Sequence, residues 1–155
     1  MMIRTVITTL AIAASIATSA ANDNSRYIIG TRSTERAALP FSDAVWAGNT
    51  LYVSGHVALD PQTDRAPQDP AAEAKLVLEA VKATLEHAGL TMDDLVSVTV
   101  YCSDLGLYGA FNTVYKTYFR TDYPARAFVG VAQLLRGAHF EVQGVAVKRR
   151  EAPSK

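Results

Sequence analysis

The sequence predicts an α+β domain in which a mixed β-sheet carries two helices packed on one face, in the order β-β-α-β-α-β-β. Three observations lead there. Apolar runs on either side of Gly48-Asn49 read as a hairpin, residues 69–89 hold a capped amphipathic helix, and beyond it short apolar runs are separated by one more helical stretch. A chain of 155 residues, 49% hydrophobic and 19% charged, suits a single core rather than a disordered or fibrous polymer.

The first residues, MMIRTVITTLAIAASIATSAAN, combine one basic side chain, Arg4, with an apolar stretch centred on Val6 to Ile16 and small residues at Thr18-Ser19-Ala20-Ala21. That is the pattern of a secretory signal peptide, and the apolar stretch is short for a membrane span. The expectation is cleavage after Ala20 or Ala21 and an exported product, periplasmic or secreted, with no membrane association after cleavage. An uncleaved amphipathic helix or lone anchor is the alternative. Residues 22–39 are a polar lead-in with room for an edge strand near Tyr27 to Ile29, residues 40–150 form the domain, and residues 151–155 a tail.

The hairpin pairs Ala44 to Ala47 with Leu51 to Leu59 and closes at Asp60-Pro61. In the first helix Asp69 is a natural N-cap, Pro70 fits the first helical position, and Gly89 stops the element. Leu76, Ala80, Val81, Leu85 and Ala88 are its expected apolar stripe. A strand from Leu95 to Ser103 would place Val96, Val98, Val100 and Cys102 on one face. The second helix runs through YGAFNTVYKTYF, with Phe111, Val114, Tyr115 and Tyr118 on one face. Strands of about Ala127 to Leu134 and His139 to Lys148 follow, parted by LRGA. Both faces of these last strands are apolar, with Ala127, Val129 and Val131 on one and Phe128, Gly130 and Ala132 on the other. Two helices cover one side of a sheet, so the second face is expected to meet another subunit.

Removing residues 1–21 takes out Arg4 and no acid, leaving 14 basic and 15 acidic side chains and a formal charge of −1. Nothing in that balance favours a polyanion, so no nucleic-acid partner is expected. Cys102 is the single cysteine, which excludes an intramolecular disulfide; a buried apolar filler is favoured over a reactive thiol because no basic neighbour is evident in the sequence. The three histidines do not cluster, and His56 and His139 lack acids or cysteines at metal-ligand spacing, so no metal is expected. There is no phosphate-cradling glycine loop and no nucleophile elbow.

Four features bear on chemistry. Arg126 opens the run RAFVGV and shares strand parity with Phe128. If Val129 and Val131 face the helices, its guanidinium stands at the subunit boundary, where it would bind a planar carboxylate through two parallel hydrogen bonds. An ion-paired structural arginine is the competing reading. Glu141, in HFEVQGVAV, falls with Gln143 on the face opposite Phe140 and Val142. In a partly apolar groove it would serve as a general acid or base on water, or it would partner an arginine across adjacent strands. Asn112 is a poor interior helix former, and Ser54-Gly55 punctuates a strand where glycine permits close backbone approach.

Taken together, GNTLYVSG (Gly48 to Gly55), LEHAGL, FNTVYKTYF, YPARAFV and FEVQGVAV resemble the RidA family, also called YjgF, over about Pro40 to Arg149. The resemblance implies a homotrimer of chorismate-mutase-like subunits with sites in the clefts between them. It also implies cofactor- and metal-free hydrolysis of 2-enamine and 2-imine acids, such as 2-aminoacrylate, to the 2-keto acid and ammonia. By position, Arg126 resembles the arginine that clamps the substrate carboxylate and Glu141 the glutamate that positions the attacking water. Ser54, Gly55 and Asn112 match further positions lining or supporting the cleft. Two positions depart from the pattern. Phe41 stands where deaminating members commonly place a tyrosine, keeping the ring and losing the hydroxyl. Phe128 stands where many have a cysteine, removing a polar contact and narrowing the pocket. A non-catalytic trimer binding small carboxylates or proteins is the second reading, and a ribonuclease, an activity attached to family members, ranks last.

Overall fold

The computed structural model describes residues 26–28, 39–60 and 62–148; the expected signal segment and tail lie outside them. Among the described residues six strands form one sheet: β1 (Arg26–Ile28), β2 (Ala44–Ala47), β3 (Thr50–Val57), β4 (Leu95–Cys102), β5 (Ala125–Gly130) and β6 (Phe140–Val147). Among the described residues two α-helices, α1 (Pro70–His87) and α2 (Tyr108–Tyr115), complete the α+β order. The strand order is β1-β2-β3-β6-β4-β5, antiparallel except for the parallel β4–β5 pair, so the sheet is mixed as expected. The lead-in strand is real, and β1 pairs with β2 through Tyr27 opposite Val45.

Local chemistry sets these elements. Gly48, at φ 63°, makes the β2–β3 turn in a left-handed conformation that costs a glycine nothing. The Asp69 side chain accepts a hydrogen bond from the Ala71 N–H at 3.1 Å, and Gly89, at φ 76°, ends the helical stretch. Ala74, Val77, Leu78, Val81 and Leu85 of α1 pack with Leu51, Val100, Phe111, Phe140 and Val142 into one core. Each large apolar side chain removed from water there contributes about 1.5–3 kcal/mol.

The expected α1 stripe holds at Val81, Leu85 and Ala88, which pack on the core, and fails in its first turns. Leu76 is 37% exposed, and the buried face runs through Glu73, Ala74, Val77, Leu78, Val81, Thr84 and Leu85. An alanine-rich helix leaves the phase of its stripe weakly marked, and a buried glutamate within the true stripe hides it further. Val96 also departs from its expected face, at 49% exposed, because the β4–β6 register shifts between Leu95 and Ser97 and buries Leu95 instead. Cys102 is buried, and burial pushes its thiol pKa up, which matches the inert-filler reading. Among the described residues, no helix is long and apolar enough to cross a membrane.

Strand β5 begins and ends earlier than expected, spanning Ala125–Gly130, so Arg126 lies inside the strand rather than before it. Its face is also reversed. Arg126 pairs with the buried Val98 and Phe128 with the buried Val100, so both point toward the helices. Val129, opposite Tyr101, points to the open face. Burial drives the reversal, since Phe128 has more apolar surface to bury than Val129 and packs at 5.6 Å from the core ring of Phe111.

Candidate active site

Of the seven residues singled out from the sequence, Arg126, Asn112 and Phe128 lie toward the helix face of the sheet, Glu141 stands on its open face beside the bulge that holds Ser54 and Gly55, and Phe41 precedes β2. On the helix face, the Arg126 Nη2 donates to Asn112 Oδ1 at 2.7 Å. The guanidinium carbon lies 4.5 Å from the centre of the Tyr115 ring, 5.7 Å from Phe128 and 5.9 Å from Tyr108. These rings cover the planar cation with π-density, and Asn112 fixes its rotation. Among the described residues no carboxylate pairs with Arg126, so the structural ion pair considered from the sequence is not what these residues form. A cleft of about 440 Å³ beside it is lined by Asn112, Tyr115, Lys116, Tyr123, Pro124 and Arg126. The remaining guanidinium N–H groups are available to a planar anion.

The local sequence explains this grouping. Asn112 and Tyr115 are three apart on α2, hence neighbours on one helix face, and Tyr115 is buried beneath Arg126. Tyr108 meets Phe128 edge-on at 4.9 Å, and Tyr115 stacks with Tyr123 at 6.4 Å. Burial pushes the Tyr115 phenol up to about 12, with the Arg126 charge pulling the other way, so at neutral pH it is a protonated, neutral ring.

On the open face stands Glu141, opposite Tyr101 of β4 and Val57 of β3, while its neighbours Phe140 and Val142 are buried against the helices. The expected alternation of β6 therefore holds. The β3–β6 register shifts between Val53 and His56, and the bulge contains Ser54 and Gly55. The Glu141 side chain lies across Gly55, where an added Cβ would overlap its carboxylate oxygen. Ser54 donates through its hydroxyl to the Ser42 carbonyl and through its N–H to Asp43, tying the bulge to the segment that carries Phe41. Phe41 itself is 55% exposed. Strand β4 separates β5 from β6, so Arg126 and Glu141 are not partners on adjacent strands.

Sequence reasoning missed Tyr115, Tyr108 and Tyr123 as the frame of Arg126. The signals were available in the three-residue spacing from Asn112 to Tyr115 and in Tyr123-Pro124 directly before the strand. Among the described residues no group of three or more histidine, cysteine, aspartate or glutamate side chains could hold a metal ion.

The family model described as Endoribonuclease L-PSP matches residues 31–148. A mouse 2-iminobutanoate/2-iminopropanoate deaminase is 38% identical over 124 residues, covering 79% of this chain and 92% of its own. The Escherichia coli protein of the same name is 36% identical, with 78% and 97% covered. Among solved structures, Escherichia coli TdcF with bound serine superposes with a TM-score of 0.68 at 32% identity, over 79% of this chain and 94% of its own. The fold is thus the α+β, chorismate-mutase-like subunit that the resemblance implied, and the chain belongs to the RidA (YjgF) family, whose model carries the endoribonuclease L-PSP description.

Proposed function

We propose that the protein hydrolyses small 2-enamine and 2-imine carboxylic acids to 2-keto acids and ammonia. We further propose that it does so as an exported homotrimer with its sites between subunits. The observation that supports this most is the Arg126 guanidinium, framed by aromatic rings, fixed by Asn112 and without a carboxylate among the described residues. The names of the mouse and Escherichia coli relatives supply the reaction class.

Arg126 binds the substrate carboxylate and so fixes the position of the adjacent C=N carbon. After the enamine has tautomerised to the imine, water adds to that carbon while Glu141 accepts its proton. The nitrogen takes that proton back from Glu141 to give the carbinolamine, which collapses to the carbonyl as its hydroxyl proton passes to the nitrogen and ammonia leaves. Water supplies the carbonyl oxygen and two of the three ammonia hydrogens, so the reaction needs neither redox partner nor cofactor. A substrate of three or four carbons cannot reach both faces of one sheet. Arg126 of one subunit must therefore meet Glu141, Ser54 and Gly55 of another, with Phe41 and Phe128 bounding the cleft.

Ammonia and keto-acid release from 2-aminoacrylate generated in situ tests the reading, with the mature protein compared to Arg126→Ala. The expected result is acceleration by the wild type and a loss of about 10²-fold or more in kcat/KM for the variant. Equal rates for both would overturn it. Phe41, which lacks the tyrosine hydroxyl, and Phe128, which puts a ring where many members have a cysteine, favour a second reading, a trimer that binds carboxylates without turning them over. Glu141→Gln separates the two, because an enzyme loses turnover and keeps binding. RNA cleavage has less support, since a formal charge of −1 after loss of residues 1–21 offers little phosphate neutralisation.

A further inference from the structure

Glu73 lies outside the site described above, yet its carboxylate is wholly buried in the first turns of α1. A buried carboxylate is costly unless its oxygens are met by donors. Its Oε1 accepts from two successive peptide N–H groups, those of His139 at 2.6 Å and Phe140 at 2.9 Å, and its Oε2 accepts from His139 Nδ1 at 2.6 Å. In a regular strand consecutive N–H groups point to opposite sides. Their convergence on one oxygen therefore marks a turn of the backbone, and regular pairing starts there, with Phe140 opposite Cys102 and Glu141 opposite Tyr101. The Ser103 N–H holds the same segment from the other side by donating to the His139 carbonyl at 3.1 Å.

Phe140 is also anchored by packing, 4.9 Å from Phe111, but apolar burial is non-directional and does not fix where a strand begins. We infer that Glu73 is a positioning residue for Glu141. It ties the start of β6 to α1 one residue before Glu141 and so sets how that carboxylate is presented above Gly55. This inference rests on the reading of Glu141 as the group that handles the attacking water. The Arg126 half of the site, on α2 and β5, does not depend on it.

The test compares Glu73→Ala, Glu73→Gln and Glu141→Gln in the mature protein. Turnover is measured per carboxylate-binding site, the sites being counted by titration with 2-oxobutanoate, and hydrogen exchange is followed over residues 139–142. Glu73→Ala is expected to keep the site count and affinity, lower kcat per site roughly ten- to a hundredfold, and speed exchange within residues 139–142. Glu73→Gln, whose amide oxygen still accepts both N–H groups, restores turnover. If alanine does not fold, Glu73→Asp, one methylene shorter, gives the same split. Unchanged kcat per site in Glu73→Ala beside a dead Glu141→Gln overturns the positioning role alone. Loss of binding sites in proportion to turnover also overturns it, as the mark of a merely structural residue. Unchanged turnover in Glu141→Gln sinks the underlying reading of Glu141 instead.

Discussion

The Tyr115 ring lies beneath the Arg126 guanidinium, while its hydroxyl is buried with no hydrogen-bond partner among the described residues. A buried unsatisfied hydroxyl costs on the order of 1–3 kcal/mol, whereas the cation–π contact is made by the ring alone. Tyr115→Phe is therefore expected to leave carboxylate affinity unchanged and to raise stability by about 1 kcal/mol in denaturant titration at pH 7. The pH dependence has a definite sign. The folded-state phenol titrates at about 12 against 10 for the free group, so its contribution is fully present below pH 10 and is lost as pH rises toward 12. The phenylalanine variant should lose less stability between pH 10 and 12 than the wild type. A variant less stable at pH 7 would mean that the hydroxyl finds a partner outside the described residues.

At the scale of elements, the β3 bulge and β6 form a unit. The bulge spaces Val53 and His56 unevenly against β6 and lets the glycine between them sit under the Glu141 carboxylate. Gly55 has an ordinary negative φ, so its requirement is space rather than backbone freedom. Gly55→Ala would push aside the flexible end of the Glu141 side chain instead of backbone, which makes it cheap in stability, about 1 kcal/mol or less. Because it displaces the group assigned to water activation, kcat should fall about tenfold or more with KM for the carboxylate little changed. Steady-state kinetics paired with a thermal melt checks this, and a variant with wild-type kcat would show that the carboxylate works from a different rotamer.

At the scale of the molecule, the sheet has one covered face and one open face. The open face carries Tyr52, 53% exposed, with Val129 and the half-buried Val145, apolar groups that a partner subunit would cover. Arg126 and Glu141 sit on opposite sides of that sheet, so the proposed site, if it uses both groups, would need two copies of the chain. Mixing follows directly. Arg126→Ala and Glu141→Gln, each inactive alone, should regain activity when refolded together, because about a quarter of randomly assembled clefts take an intact Arg126 from one subunit and an intact Glu141 from the next. No recovery in mixed trimers, confirmed as mixed by mass spectrometry, would place both groups in a single-chain site.

The hairpin at Gly48-Asn49, the Asp69-Pro70 helix start and the alternation that puts Glu141 opposite Phe140 were all legible in the sequence, because each rests on turn chemistry, capping or strand period, which act within a few residues. The RidA resemblance reached further and named Arg126, Glu141, Ser54, Gly55 and Asn112 together. What the sequence left open or misjudged depends on contacts distant along the chain. The face of Arg126 follows from Phe128 winning burial over Val129, the buried positions in the first turns of α1 from where the core lies, and the burial of Glu73 from two N–H groups 66 and 67 residues away. Local spacing decides which elements form. The tertiary structure alone decided which faces are buried and hence that Arg126 and Glu141 stand on opposite sides of the sheet, because burial is settled by the competition of all apolar surfaces for one core.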